Sequence, residues 1–184
     1  MYKHMKQFVS HYLLDHLTKD DVVVDATVGN GNDTLFLCEI AKMVYGFDIQ
    51  QQAIDSTKAY LKSFKKKNVK LILDSHEHLL NYVKDFKGVV FNLGYLPRSD
   101  KTITTTKETT LNTLNSLTAY LKPDMFIVIT CYPGHEAGLI EAEAVRTFSY
   151  NLDDTFNVLA YQFIKKPQAP FVIVIEKRQE KSVI

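Results

Sequence analysis

The chain has 184 residues and is poor in those that mark specialised classes. It carries 2 cysteines, Cys38 and Cys131, far apart and in no paired metal-binding or redox spacing, so both are expected as buried free thiols. Seven glycines and five prolines exclude collagen-like and low-complexity chains and make the place of each one informative. Neither sign of charge dominates: Lys+Arg is 22, Asp+Glu is 21, and the formal net charge is +1. A strongly basic polyanion-binding domain is thereby excluded, although a local basic patch is not. No apolar run approaches the ~20 residues of a membrane helix, so no membrane partner is expected. The opening Met1-Tyr2-Lys3-His4-Met5-Lys6 leads into Phe8, Val9, Tyr12, Leu13, Leu14 and Leu17, interrupted by Ser10, His11, Asp15 and His16. That spacing reads as an amphipathic helix and not as a signal peptide, and a cytoplasmic location is the expectation.

What remains is ordinary globular material, 46% apolar and 23% charged, of a length that suits one domain over residues 1–184. After the first helix, strands and helices alternate. Strands are expected at 22–27, 43–49, 69–73, 89–93 and 125–129, where β-branched and aromatic residues run together. Helices are expected at 33–42, 51–66, 76–83, 106–121 and 136–150. The second of these ends in Lys65-Lys66-Lys67, which reads either as a solvated C-terminus suited to the helix dipole or as an RNA contact. Two more strands, 156–164 and 171–176, are separated by only Lys165-Lys166-Pro167-Gln168-Ala169-Pro170. So short a connection holds no crossover helix, and the pair must be antiparallel. The expected fold class is α/β: a doubly wound, mostly parallel Rossmann-like sheet with a C-terminal antiparallel hairpin. Nicotinamide-binding domains normally continue with parallel units, whereas class I methyltransferases end in a reversed strand.

Ligands of such sheets sit beyond the carboxyl ends of the strands. The first strand ends in Asp25-Ala26-Thr27-Val28-Gly29-Asn30-Gly31-Asn32-Asp33-Thr34. Gly29 and Gly31 permit a sharp turn and close approach to a ligand. The third glycine of a dinucleotide fingerprint is replaced by Thr34, and no Gly-Lys-Ser/Thr follows to make a P-loop. Asp25 would repel a pyrophosphate but suits S-adenosylmethionine, which carries an ammonium and a sulfonium. Asn30, Asn32 and Thr34 can bond the amino-acid end of that cofactor, while Asp33 reads equally as a helix N-terminal acid. Asp48 ends the second strand, where a carboxylate accepts ribose hydroxyls in dinucleotide and methyl-donor sites alike. Asp74 ends the third and can accept from an adenine amino group, or cap the helix that starts at His76. The candidate cofactor residues are thus Asp25, Thr27, Gly29, Asn30, Gly31, Asn32, Asp33, Thr34, Asp48, Ile49, Gln50, Asp74, Ser75, His76, Asn92 and Leu93.

The fourth strand runs into Asn92-Leu93-Gly94-Tyr95-Leu96-Pro97, similar to the Asn/Asp-Pro-Pro-Tyr/Phe tetrad of amino-group methyltransferases. Attack on a sulfonium methyl needs a neutral amine aimed along the S–C axis, and the Asn92 oxygen with a backbone carbonyl can fix that direction. Tyr95 offers a face on which a flat base stacks. A plain turn formed by Gly94 and Pro97 is the simpler reading. After the fifth strand comes Tyr132-Pro133-Gly134-His135, where His135 is a candidate proton acceptor or substrate contact, or a helix cap. The candidate catalytic residues are Asn92, Tyr95 and His135. The candidate substrate residues are Tyr95, Pro97, Arg98, Lys101, Tyr132, Pro133, Gly134, His135 and Lys165. His76-Glu77-His78 lacks further ligands at helical spacing, and no metal is expected.

The loops from Asp25 to Thr34, from Phe91 to Pro97 and from Tyr132 to His135 resemble one methyltransferase family, long labelled rRNA methylases and including the YtqB-like proteins. Asp100-Lys101-Thr102-Ile103-Thr104-Thr105 and the run from Pro170 to Lys177 share the likeness, which covers the chain from about Phe8 to Lys177. The functionally assigned branch of that family, MnmM, methylates tRNA 5-aminomethyl-2-thiouridine. The resemblance implies S-adenosylmethionine as cofactor. It implies the anticodon loop of tRNA as partner and the amine of 5-aminomethyl-(2-thio)uridine at the wobble position (U34) as substrate. Its product would be the 5-methylaminomethyl nucleoside. Three departures lie beside the substrate face: Arg98-Ser99 in place of Gly-Gly, Lys107 in place of proline, and Glu136-Ala137-Gly138 in place of Pro-Gly-Gly. A methyltransferase of rRNA or of a small-molecule amine, and a nicotinamide-dependent oxidoreductase, are the alternatives. The first helix and the terminal hairpin offer a surface for a homodimer.

Overall fold

Three consecutive valines open β1 (Val22–Asp25), a strand buried on both faces, and such strands need helices on each side. The computed structural model, which describes residues 4–94 and 106–179, supplies them. The further strands are β2 (Met43–Asp48), β3 (Val69–Leu73), β4 (Gly88–Asn92), β5 (Phe126–Cys131), β6 (Phe156–Tyr161) and β7 (Phe171–Lys177). The helices are α1 (Met5–His16), α2 (Asn32–Ile40), α3 (Gln51–Ser63), α4 (Leu79–Tyr82), α5 (Lys107–Tyr120) and α6 (Glu136–Tyr150). A 3₁₀ turn at His76–His78 precedes α4.

The sheet order is β3-β2-β1-β4-β5-β7-β6. Strands β1 to β5 pair in parallel, and β7 runs antiparallel to both β5 and β6. One face is covered by α1, α2 and α3 through Leu13, Leu37 and Leu61. The other is covered by α4, α5 and α6 through Leu79, Leu114, Leu117 and Val145. Each such fully buried leucine contributes ~1.5–3 kcal/mol of transfer free energy. Order reverses between β2-β1 and β4, so the crevice beyond the carboxyl ends of β1 and β4 is the natural place for a ligand.

The Rossmann-like class and the antiparallel hairpin match the expectation from sequence. Boundaries differ in two instructive places. Strand β6 stops at Tyr161 instead of 164, because the chain turns with Lys166 N–H bonding the Phe163 carbonyl. Helix α3 stops at Ser63, and Lys65 adopts a φ of 56°, which ends the helix before the lysine run. Among the described residues no helix is long and apolar enough to cross a membrane.

Candidate active site

Strand register sets the depth of each acid. Asp25 pairs with Gly46 of β2 and Val90 of β4, so Asp48 and Asn92 stand two residues further along their strands. At ~3.3 Å per residue that is roughly 6–7 Å. Asp25 is therefore 1% exposed and lies beneath the cleft that the strand ends form, not on its wall. Its carboxylate accepts from the Thr27 N–H at 3.1 Å and the Thr34 hydroxyl at 2.6 Å. Burial pushes the Asp25 carboxyl up to about 7, opposed by the Thr34 bond and reinforced by the Asp33 and Asp48 charges.

The glycine loop is held from outside as well as by its own turns. Gly29 and Gly31 have φ of 52° and 76°, the left-handed region that favours glycine. The Asp48 carboxylate accepts from the Gly29 N–H and the Gln50 N–H, both at 2.9 Å. From α3, the Thr57 hydroxyl donates to the Gly29 carbonyl at 3.0 Å. A Cβ on Gly31 would stand 2.6 Å from the Thr57 methyl, so this threonine and that glycine fit each other. Thr57 is absent from the sequence-based candidates. Its signal is a threonine among Ile54 and Leu61 on the buried stripe of α3.

Above this floor opens a cleft of about 1100 Å³. It brings together Thr27, Gly29, Asn30, Asn32, Asp33, Asp48, Ile49, Gln50, Asp74, Ser75, His76, Asn92, Leu93, Tyr132, Gly134 and His135. Asp25, Gly31, Thr34, Pro133 and Lys165 do not line it. Thr34 is fully buried against Asp25, and Lys165 is exposed in the β6–β7 connection. Tyr95, Pro97, Arg98 and Lys101 lie outside the described residues. Sequence reasoning missed the contributions of α1 (Met5, Lys6, Val9, Ser10, Leu13), of Thr106 and Thr109 at the start of α5, and of Gln168 and Pro170. The volume is just above the ~300–1,000 Å³ typical of small-molecule sites, enough for a cofactor and part of a second molecule. Among the described lining residues, Lys6 is the one Lys or Arg, against Asp33, Asp48, Asp74 and Glu77. A cleft of that charge favours a cationic ligand over a pyrophosphate.

Asn92 connects the two halves of the cleft. Its backbone N–H donates to the Thr27 hydroxyl at 2.7 Å, and its side-chain Nδ2 donates to Asp33 at 2.9 Å. A carboxylate only accepts at neutral pH, so this bond fixes which way the amide faces. The remaining atom, Asn92 Oδ1, is buried without a hydrogen-bond partner. An orphaned buried acceptor costs ~1–3 kcal/mol, and a ligand N–H placed there would recover it. Tyr132 lines the same end, and burial together with the Asp33 charge pushes its phenol up, so it stays a neutral donor.

His135 is the N-cap of α6: its Nδ1 accepts from the Gly138 N–H at 3.0 Å. That bond makes the ring a cap of the helix, one of the readings the sequence offered. Gly138 is itself required, since a Cβ there would meet the Tyr132 carbonyl oxygen at 2.3 Å. The helix after β3 is capped by Ser75, whose hydroxyl accepts from the Glu77 N–H, and not by Asp74. Lys65, Lys66 and Lys67 precede β3 and so stand at the opposite edge of the sheet from the cleft, with Lys66 paired to Glu39. That position favours the solvated-terminus reading over an RNA contact beside the site.

Comparisons with known proteins agree with this geometry. The family model described as "Putative rRNA methylase" matches residues 44–177. The chain belongs to that family. Members of known structure superpose closely. A "putative methyltransferase" from Streptococcus mutans, crystallised with SAH, is 37% identical with a TM-score of 0.87, covering 96% of this chain and 99% of that one. The "putative rRNA-methylase" of Clostridium thermocellum is 36% identical with a TM-score of 0.90 over the same shares. The chloroplastic tRNA (mnm(5)s(2)U34)-methyltransferase of Arabidopsis thaliana is 35% identical over 93% of this chain and 69% of its own length. The fold is that of the Rossmann-like methyltransferases, with the reversed last strand that distinguishes them from nicotinamide-binding domains.

Proposed function

We propose that the protein transfers a methyl group from S-adenosylmethionine to the primary amine of 5-aminomethyl-(2-thio)uridine at the wobble position of tRNA. The observation that carries the reading is Asn92 Oδ1, a buried acceptor with no partner at the end of β4 and fixed in direction by Asp33. The likeness to the Arabidopsis enzyme over 93% of the chain supports the substrate. The S. mutans complex with SAH supports the cofactor.

The residues present suit that cofactor. Asp48 and Gln50 stand where ribose hydroxyls would bond. Ile49 offers an apolar face to the adenine. Asn30, Asn32 and Asp33 stand near the amino-acid end, within an acidic cleft that favours a cation. Asp25 acts from below by holding Thr27 and Thr34 in place. When bound, the sulfonium supplies an electrophilic methyl group. The chain supplies position and protonation state. Asn92 Oδ1 accepts one amine hydrogen and turns the nitrogen lone pair away from itself. The amine must lose its proton to attack, and desolvation at the buried end of the cleft beside Asn92 Oδ1 favours that loss against the pull of the cleft's acids. Tyr95 and Tyr132 flank the base, which is splayed out of its loop as single-stranded RNA targets are. The sequence assigns Pro97, Pro133, Gly134 and His135 to the same substrate and Arg98, Lys101 and Lys165 to its phosphates, and of these Gly134 and His135 line the cleft among the described residues.

The reading includes a cytoplasmic protein of one domain and a homodimer built on α1 and the terminal hairpin. Val158 and Leu159, about half exposed on the edge strand β6, support such a surface. Nucleoside analysis of tRNA from a deletion strain tests the function. Accumulated 5-aminomethyl-(2-thio)uridine, reversed by the wild-type gene, is the expected result. Unchanged tRNA with methyl transfer to rRNA or to a metabolite amine would assign the enzyme to those substrates instead.

A further inference from the structure

His76 is 7% exposed, lines the cleft beyond the ribose-side acid Asp48, and packs edge-on against Phe91 at 5.5 Å between ring centres. Its Nδ1 lies 2.8 Å from the Thr113 hydroxyl oxygen. That hydroxyl has one proton, and both contacts are hydrogen bonds only when it goes to the Thr109 carbonyl at 2.8 Å. Thr113 can therefore only accept from the ring, so His76 is the Nδ1–H tautomer and its Nε2 is a bare lone pair. Burial pushes the imidazole down to about 4, which keeps it neutral at physiological pH.

The neighbouring acid is differently placed. The Asp74 carboxylate already accepts from the Ser75 N–H at 2.7 Å, His78 Nδ1 at 2.8 Å and the Tyr82 hydroxyl at 2.7 Å. Three donors of its own chain thus already bond the group that sequence reasoning assigned to the adenine, two on Oδ1 and one on Oδ2, which leaves about one acceptor site.

We infer that His76 Nε2, rather than Asp74, accepts the hydrogen bond from the exocyclic amine of the cofactor's adenine, and that Thr113 is a positioning residue that fixes the tautomer. The inference rests on the cofactor reading above. Adenine presents one donor, its amino group, among ring nitrogens that only accept, so the unprotonated Nε2 has a single partner on it. Replacing the amino group by a carbonyl would set lone pair against lone pair.

The test uses the intact protein with S-adenosylhomocysteine and its deaminated analogue S-inosylhomocysteine. Nitrogen-15 spectra of the imidazole should show Nε2 unprotonated in the free protein and shifted by the adenine nucleoside. Calorimetry should show the adenine form bound at least about tenfold more tightly, a difference of about 1.4 kcal/mol. Thr113→Val removes the acceptor for Nδ1–H, lets Nε2 take the proton, and should bring the ratio to within about threefold. Asp74→Asn should keep it. A protonated Nε2 in the wild type would overturn the inference. So would a ratio lost in Asp74→Asn but kept in Thr113→Val, or equal binding of both nucleosides. Binding of neither would overturn the cofactor reading as well, while the spectra still report the tautomer.

Discussion

Asn92 is anchored by its backbone and by its amide nitrogen, and only its carbonyl oxygen lacks a partner. Asn92→Ala with saturating cofactor should lower single-turnover methylation about 100-fold, the scale of losing orientation at a reacting atom. Undiminished turnover would remove Asn92 from the chemistry. Asp25 makes a prediction of the opposite kind, about stability. Its carboxyl ordinarily titrates near 3.8 and here near 7, so the folded state holds a proton that the unfolded chain releases. The stabilisation from this group is complete below pH ~4 and is lost as pH rises through 7. Asp25→Asn keeps both hydrogen bonds, since the Thr34 hydroxyl can turn to accept from the amide. Urea unfolding of the variant should therefore depend less on pH between 5 and 8 than that of the wild type. Sequence showed that acids end three successive strands. It did not show their depth, because register is a property of pairs of strands, and Asp25 sits two residues below Asp48 and three below Asp74.

At the scale of elements, the glycine loop depends on α3 as much as on β1. Thr57→Val keeps the shape that fills the space over Gly31 but deletes the bond to the Gly29 carbonyl. One hydrogen bond is worth ~1 kcal/mol, so binding of S-adenosylhomocysteine should weaken about fivefold with a small fall in melting temperature. Unaltered affinity would mean that the loop holds its form unaided. Local pattern exposed the alternation of strands and helices because β-branched runs and apolar stripes are written in consecutive residues. It missed Thr57, whose partner is 28 residues away. That the His135 ring caps α6 shows only in a distance to the backbone. The lysine run after α3 read first as a solvated terminus, with an RNA contact as the alternative, and the topology put it at the far edge of the sheet.

For the whole molecule, a net charge of +1 and a cleft with more acids than bases among its described residues limit how the proposed tRNA substrate would be held. Three phosphate contacts, at a slope of about −0.7 each for single strands, give a dependence of log K on log salt near −2. Filter binding of tRNA across ionic strength should find that shallow slope. A value several times steeper would require a basic surface that the composition does not provide. The doubly wound class and the antiparallel end were legible as a whole because the connection after β6 is too short for a crossover. Which of the two last strands lies beside β5 was not, since nothing in either strand names its neighbour.

That neighbour is β7, which separates β6 from β5. During synthesis β6 leaves the ribosome before the strand that will bond it, with Val158 and Leu159 bare on an edge that has no mate inside the chain until residues 171–177 arrive. The sheet thus closes by insertion and not by extension. Each nascent chain passes through an interval in which it is open to pairing with a stranger.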